Sequence, residues 1–204
     1  LPPPLPIAAL AFDLGNVLIQ VDHGRFCRRL AESAGITPAE VYHRVFSPDL
    51  EHGYDTGKLS SQAFYQKIME VFQVSLPYPR FCEWWNEIFD PLEGMESLVL
   101  HLKSRYPLYL LSNTNPLHFD YVCRNFPLVH HFRRFILSYQ VGSRKPEQAI
   151  YQALIRETGL AAPQCLFIDD KLPFVEAAQT QGLRAWQFIS TQDLKRRLQE
   201  QGLW

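Results

Sequence analysis

The chain lacks the features that would mark it for a secretory compartment, a membrane or a nucleic acid. Its four cysteines, Cys27, Cys82, Cys123 and Cys165, lie far apart, and none forms a Cys-x-x-Cys pair. That spacing gives little support to a zinc site or to thioredoxin-like redox chemistry. Reduced thiols in a cytoplasmic protein are the expectation. No apolar run approaches the roughly 20 residues that cross a bilayer, so no membrane partner is expected. No basic start precedes an apolar segment in the manner of a signal peptide. An excess of one charge is also missing, with 20 Lys and Arg against 21 Asp and Glu. There is thus no basic surface for nucleic acid and no acidic surplus that would favour disorder. What remains is an ordinary globular composition, 47% hydrophobic and 20% charged, in 204 residues. That length suits one core domain with a small insertion. Proline crowds the start, Leu1-Pro2-Pro3-Pro4-Leu5-Pro6, and residues 1–6 are expected as a disordered, extended arm.

The organising stretch is Ile7 to Leu18. An apolar run of strand length ends at Asp13 and is followed by Gly15-Asn16. A run apolar on both faces suits a parallel strand buried between helix layers. Asp13 then falls at the carboxyl end of the strand, where open α/β sheets place their ligands. From Asp22 to Asp90 the patterns are helical and no strand is evident. Phe26, Leu30 and Ala34, and then Val41 and Val45, recur at helical spacing, with a restart at Thr37-Pro38. Glu51 to Gly57 reads as a polar turn with two glycines. Ser60 or Ser61 can cap a helix carrying Phe64, Ile68 and Val71, and a further helical patch holds Trp84 and Trp85. The two tryptophans are expected in the core of this block rather than on a stacking surface.

From Pro91 onward helix and strand alternate. Strands are expected at Leu108–Leu111, Phe135–Leu137, Cys165–Ile168 and Arg184–Ile189, with helices opening at Gly94, Pro116, Pro146, Pro173 and Ser190. This order predicts an α/β fold, a doubly wound parallel sheet in a Rossmann-like core, with a small inserted α-helical cap. The expected boundaries are residues 7–21 and 91–204 for the core and 22–90 for the cap.

Three strands then end in polar residues at one sheet edge: Asp13, Ser112 and the pair Asp169-Asp170. Lys145 opens a helix after another strand and falls on the same rim. A nucleophilic carboxylate, a hydroxyl, a lysine and a carboxylate pair suit phosphoryl transfer with magnesium. Adjacent carboxylates repel unless a hard divalent cation turns them into oxygen ligands. Lysine and metal neutralise phosphoryl oxygens while a carboxylate attacks in line. Each residue also has a plain structural reading: Asp13 and Asp169-Asp170 as turns, Ser112 as a neighbour of a helix cap, Lys145 as a surface charge.

Phe-Asp-Leu-Gly-Asn-Val, Leu-Ser-Asn-Thr-Asn, Arg-Lys-Pro-Glu and Phe-Ile-Asp-Asp, in that order, resemble the four motifs of the haloacid dehalogenase superfamily. The resemblance covers nearly the whole chain after the proline arm. In wording it is similar to the alpha-glucose-1-phosphate phosphatase branch. It implies a hydrolase, a magnesium-dependent phosphatase of a small phosphorylated metabolite, with a sugar phosphate favoured and an aspartyl-phosphate intermediate. It implies Asp13 as nucleophile, Lys145 as charge stabiliser, and Ser112 and Asn113 as phosphate binders. Magnesium would sit on Asp13, the main-chain carbonyl of Gly15 and Asp170, with Asp169 beside them. A helical cap would close over the substrate and select it.

Two departures stand out. Phosphatases of this family usually carry an acid-base Asp two positions after the nucleophile, where this chain has Gly15. Loss of such a group typically costs about 10²–10⁴ in rate; His23, Asp55 and His52 are candidate substitutes. Lys171 and Phe174 follow the carboxylate pair where asparagine is often found, so Lys171 would either pair with a rim acid or compete with the metal. The alternatives are a carbon–halogen hydrolase using Asp13 without metal, and a binding or regulatory protein that has kept the fold and lost turnover.

Overall fold

The computed structural model describes residues 5–48 and 50–204. Most of the expected proline arm, residues 1–4, lies outside the described residues, while Leu5 and Pro6 are exposed.

Five parallel strands form the central sheet: β1 (Ala9–Phe12), β4 (Leu108–Ser112), β5 (Arg134–Leu137), β6 (Cys165–Asp169) and β7 (Arg184–Gln187), in the order β5-β4-β1-β6-β7. Every residue of β1, β4 and β6 is buried, whereas the edge strands are partly exposed. The apolar runs thus find the two-sided burial they require. Alternate side chains feed two cores. Leu10, Phe12, Leu110 and Ile168 pack under α6 (Met95–Lys103), α7 (Pro116–Asn125) and α11 (Thr191–Glu200). Ala9, Ala11, Leu111 and Phe167 pack under α9 (Gln148–Thr158) and α10 (Leu172–Thr180). A single turn, α8 (Ser138–Val141), follows β5.

Strand order reverses between β1 and β6, because the chain fills one side of β1 first and the other side afterwards. A crevice forms at such a switch point beyond the carboxyl ends of the strands. Asp13 and Asp169 flank it.

Between β1 and β4 the chain makes a two-stranded antiparallel ribbon, β2 (Ile19–Val21) with β3 (Phe89–Pro91). β3 begins inside the segment Asp22 to Asp90, which was expected to hold no strand, and corrects that expectation. Asp and Pro at strand positions are tolerated here because the partner is a lone edge strand. Asn16, at φ 57°, turns the chain into the ribbon, and its Oδ1 accepts a hydrogen bond from the Val21 N–H at 3.0 Å.

Among the described residues, five helices lie between the two ribbon strands: α1 (His23–Ala34), α2 (Pro38–Val45), α3 (Glu51–Asp55), α4 (Ser61–Phe72) and α5 (Tyr78–Asn86). They enclose their own apolar cluster, including Phe26, Leu30, Val41, Phe64, Phe81 and Trp85. Thr37 and Glu40 form a capping box ahead of α2, and Ser60, not Ser61, caps α4. The segment expected as a polar turn, Glu51 to Gly57, is helical over Glu51–Asp55. Its Tyr54 is buried and stacks on Phe64 at 4.3 Å, so tertiary packing supplies the order that five residues of weak propensity lack.

Candidate active site

The carboxyl ends of β1, β4 and β6 open into a cavity of about 120 Å³. Its floor is built around Lys145. This ammonium is almost fully buried and uses all three of its donors. Nζ lies 2.7 Å from Asp13 Oδ1 and 2.6 Å from Asp169 Oδ2, and donates to the Leu111 carbonyl at 3.1 Å. Burial disfavours the ammonium, but Asp13 and Asp169 outweigh it and hold Lys145 above its ordinary range. A surface-charge reading of Lys145 does not describe this residue.

Asn113 explains why the lysine stays in place. Its Nδ2 donates to the Lys145 carbonyl at 2.9 Å, and its Oδ1 accepts from the Lys145 N–H at 2.8 Å. Both ends of the amide are spent on clamping the β4 loop to the β5–α9 loop. Ser112 is left nearly free, since its hydroxyl makes only a long 3.4 Å contact to the Asn113 carbonyl. Ser112, Asn113, Asp13, Gly15, Lys145 and Asp170 all line the cavity.

Oxygens of Asp13, Asp169 and Asp170 lie within 4.8 Å of one another. Their roles differ. Asp169 is fully buried, with Oδ1 accepting from the Lys171 N–H at 2.8 Å and Oδ2 from Lys145. Asp170 Oδ1 is buried and has no hydrogen-bond partner among the described residues. Burial pushes the Asp13 carboxyl up to about 7; Lys145 opposes the rise, while the charges of Asp169 and Asp170 add to it. Burial and then Asp169 likewise raise Asp170. Three carboxylates beside one ammonium leave uncompensated negative charge, and one Asp170 oxygen is buried without a partner among the described residues. A hard divalent cation with oxygen ligands fits that donor set.

At position 15 a β-carbon would stand 3.0 Å from Val21 Cγ2. A larger residue there would need the Val21 side chain to shift. Lys171 neither pairs with a rim acid nor reaches the carboxylates. Its Nζ sits 5.3 Å over the Phe174 ring, and no carboxylate lies within ion-pair distance among the described residues.

The inserted helices supply the opposite wall. His23 and Asp55 line the cavity; His52 does not, and approaches Glu147 at 4.0 Å instead. Trp85 is buried in the insertion's core as expected, yet one face also borders the cavity, where it stacks on His118 at 4.6 Å. Burial drives His118 down to about 3. Its ring nitrogens meet Asn115 Nδ2 at 3.1 Å and the Trp85 carbonyl at 2.9 Å. Sequence reasoning missed the partners of Asp55. Arg144 donates to Glu51 Oε2 at 3.3 Å and stands 3.8 Å from Asp55 Oδ2. The one signal for it was that Arg144 directly precedes Lys145.

A carboxylate at the end of the central strand, a clamped lysine and a carboxylate trio at a parallel-sheet switch point define a class of hydrolases built on one Rossmann-like plan. The family model for haloacid dehalogenase-like hydrolases matches residues 7–182, and the chain belongs to that family. Among curated proteins it is similar to D-ribitol-5-phosphate phosphatase of Bacteroides thetaiotaomicron, 25% identical over 191 residues, 89% of this chain and 91% of that protein. Among solved structures it is similar to a HAD family enzyme of the same organism, with a TM-score of 0.86 and 26% identity over 95% of this chain and 99% of the other. A wild-type HAD family enzyme of that organism, in complex with magnesium and inorganic phosphate, superposes with a TM-score of 0.81 at 27% identity, covering 91% and 96% of the two chains.

Proposed function

We propose that the chain is a magnesium-dependent phosphatase that hydrolyses a small phosphorylated metabolite, a sugar or polyol phosphate, through an aspartyl-phosphate on Asp13. The observation that carries this reading is the unpartnered, buried Oδ1 of Asp170 beside Asp13 and the clamped Lys145. A carbon–halogen hydrolase has no use for that oxygen. The relative named for ribitol 5-phosphate favours a polyol or sugar monophosphate, and the small cavity suits a short molecule rather than one filling the ~300–1,000 Å³ of drug-sized sites.

Asp13, Asp170 and the Gly15 carbonyl would hold the ion, which when bound neutralises phosphoryl oxygens and keeps Asp13 ionised. Lys145 adds a fixed positive charge beside the attacking oxygen, available without reorganisation because its donors are already directed. Asp169 positions Lys145 and carries its compensating charge. Ser112 offers its hydroxyl to a phosphoryl oxygen, and Asn113 keeps the lysine in register. In the first step an Asp13 oxygen bonds to phosphorus as the ester oxygen departs. In the second, water attacks the same phosphorus and releases Asp13 with inorganic phosphate.

Asp13→Asn keeps the shape and removes the nucleophile. With p-nitrophenyl phosphate and magnesium, wild type is expected to release phosphate and the variant to fall by three orders of magnitude or more, roughly the loss expected for a covalent nucleophile. Release by the variant at near the wild-type rate would remove Asp13 from the mechanism. A panel of sugar and polyol phosphates then identifies the preferred substrate.

A further inference from the structure

Cleavage of an alkyl phosphate leaves an alkoxide, which needs a proton as it departs. The groups packed around Asp13 are committed elsewhere, and Asp170 is a ligand of the proposed ion. Asp13 is the nucleophile of the proposed reaction, Asp169 is hydrogen-bonded at both oxygens, Lys145 has committed all three donors, and residue 15 is glycine. On the wall, His118 spends both ring nitrogens on Asn115 and Trp85. Burial lowers His23, which leaves it a neutral imidazole at pH 7. Glu51 accepts the Arg144 hydrogen bond and is its ion-pair partner.

Asp55 is different. It is 6% exposed and borders the same small cavity as Asp13. Its only ion-pair partner among the described residues, Arg144, stands at 3.8 Å, outside hydrogen-bonding range, because the guanidinium is turned to Glu51. The helix that carries Asp55 is seated firmly on the core. A β-carbon at Gly57, two residues past the end of α3, would press into the Tyr139 carbonyl oxygen of α8, so the turn that follows α3 lies directly against that backbone. With α3 seated there, the acid stands across the cavity from the floor.

We propose that Asp55 is the general acid and base of this phosphatase, giving its proton to the leaving alkoxide and then taking one from the water that attacks the intermediate. The assignment rests on the phosphatase reading above. As the Asp13–phosphorus bond forms and the phosphorus–ester bond breaks, the Asp55 proton moves to the departing oxygen and leaves a carboxylate. That carboxylate accepts a proton from water as the water oxygen bonds to phosphorus and the Asp13–phosphorus bond breaks, which restores the starting acid. The charged groups facing Asp55 suit this cycle. Burial and then the Glu51 charge raise its carboxyl to about 7, while Arg144, the Asn115 amide and Lys171 limit the rise. A group that ionises near the working pH serves equally as donor and acceptor.

The test compares Asp55→Asn with wild type in single-turnover measurements with magnesium, using D-ribitol 5-phosphate and p-nitrophenyl phosphate. The first-step rate on the alkyl ester is expected to fall by about 10²–10⁴, and that on the aryl ester, whose phenolate leaves without help, by less than about tenfold. Two further variants keep the assignment testable if Asp55→Asn does not fold. Glu51→Gln is expected to move the basic limb of the alkyl-phosphate profile to lower pH, and Arg144→Gln to higher pH, because each removes one of the charges that set the Asp55 equilibrium. Equal losses on both esters, an undiminished alkyl rate, or a limb unmoved in both neighbouring variants would overturn the role of Asp55 alone. Wild type inert toward both esters, or Asp13→Asn as active as wild type, would overturn the phosphatase reading itself.

Discussion

Two buried carboxyls with opposite surroundings show how this site separates charge at the scale of the residue. Asp13 faces an ammonium at 2.7 Å, and Asp55 faces a guanidinium turned elsewhere. Lys145→Ala would leave Asp13 and Asp169 buried without their partner, and a loss of about 3–5 kcal/mol is expected from breaking such a cluster, read from urea unfolding. Asp55 makes the converse prediction. Its folded pKa, about 7, lies above its ordinary 3.8, so the folded state holds this proton more tightly than the unfolded chain. The stability that this confers is complete below the unfolded value and is lost as pH rises through about 7. Asp55→Asn should therefore flatten part of the decline in stability between pH 4 and 8, by an amount on the order of 4 kcal/mol. Parallel pH profiles for the two proteins would contradict that accounting.

At the scale of the element, the five inserted helices carry an apolar cluster separate from the two cores of the sheet and join the core through the short β2–β3 ribbon. Such a unit can open about the ribbon to admit substrate and close to exclude water. The contact to be broken on opening is the seat of α3 on α8. Backbone amides around Gly53 and Gly57 should then exchange faster than those of β1 and β6, and a metal fluoride that mimics the phosphoryl group should slow them. Unchanged exchange with the analogue bound would argue against closure on ligand. Gly57→Ala combines a φ of 71° with a clash against Tyr139. A loss of about 1–3 kcal/mol, typical of overpacking, is expected, together with a raised KM for the alkyl ester.

At the scale of the whole molecule, magnesium should stabilise the fold, because the three carboxylates proposed to hold it come together only when β1 and β6 are paired. At a hundredfold excess over its Kd the ion contributes about 2.7 kcal/mol, which for about 200 residues corresponds to a rise in Tm of roughly 5–10 °C. Asp170→Ala should lose most of that rise, and Asp169→Ala should lose less of it while being the less stable protein without metal. A full magnesium-dependent rise in Asp170→Ala would remove Asp170 from the ligand set. Among the described residues no helix is long and apolar enough to cross a membrane.

Much of this architecture was legible in the chain itself. Runs such as Ala9–Phe12 and Cys165–Asp169 are buried on both faces, and two-sided burial leaves a continuous apolar signature that ends abruptly where the strand meets the crevice. Asp13, Ser112 and Asp169-Asp170 stand at those ends, so strand identity and the residues of the rim come from the same local pattern. Turn chemistry was equally local, as with Gly159 and Gly182, both at positive φ where a helix stops. The tertiary structure alone decided the rest. Glu51–Asp55 is a helix because Tyr54 finds Phe64, and β3 is a strand because Ile19–Val21 lies beside it. Asn113 clamps Lys145 across 32 residues, Lys171 turns to Phe174, and Arg144 prefers Glu51 to Asp55. The protonation of Asp55 depends on those distances and on its burial. A carboxyl's charge is set by what surrounds it in space, and neighbours from three separate loops leave no trace in the residues adjoining it in sequence.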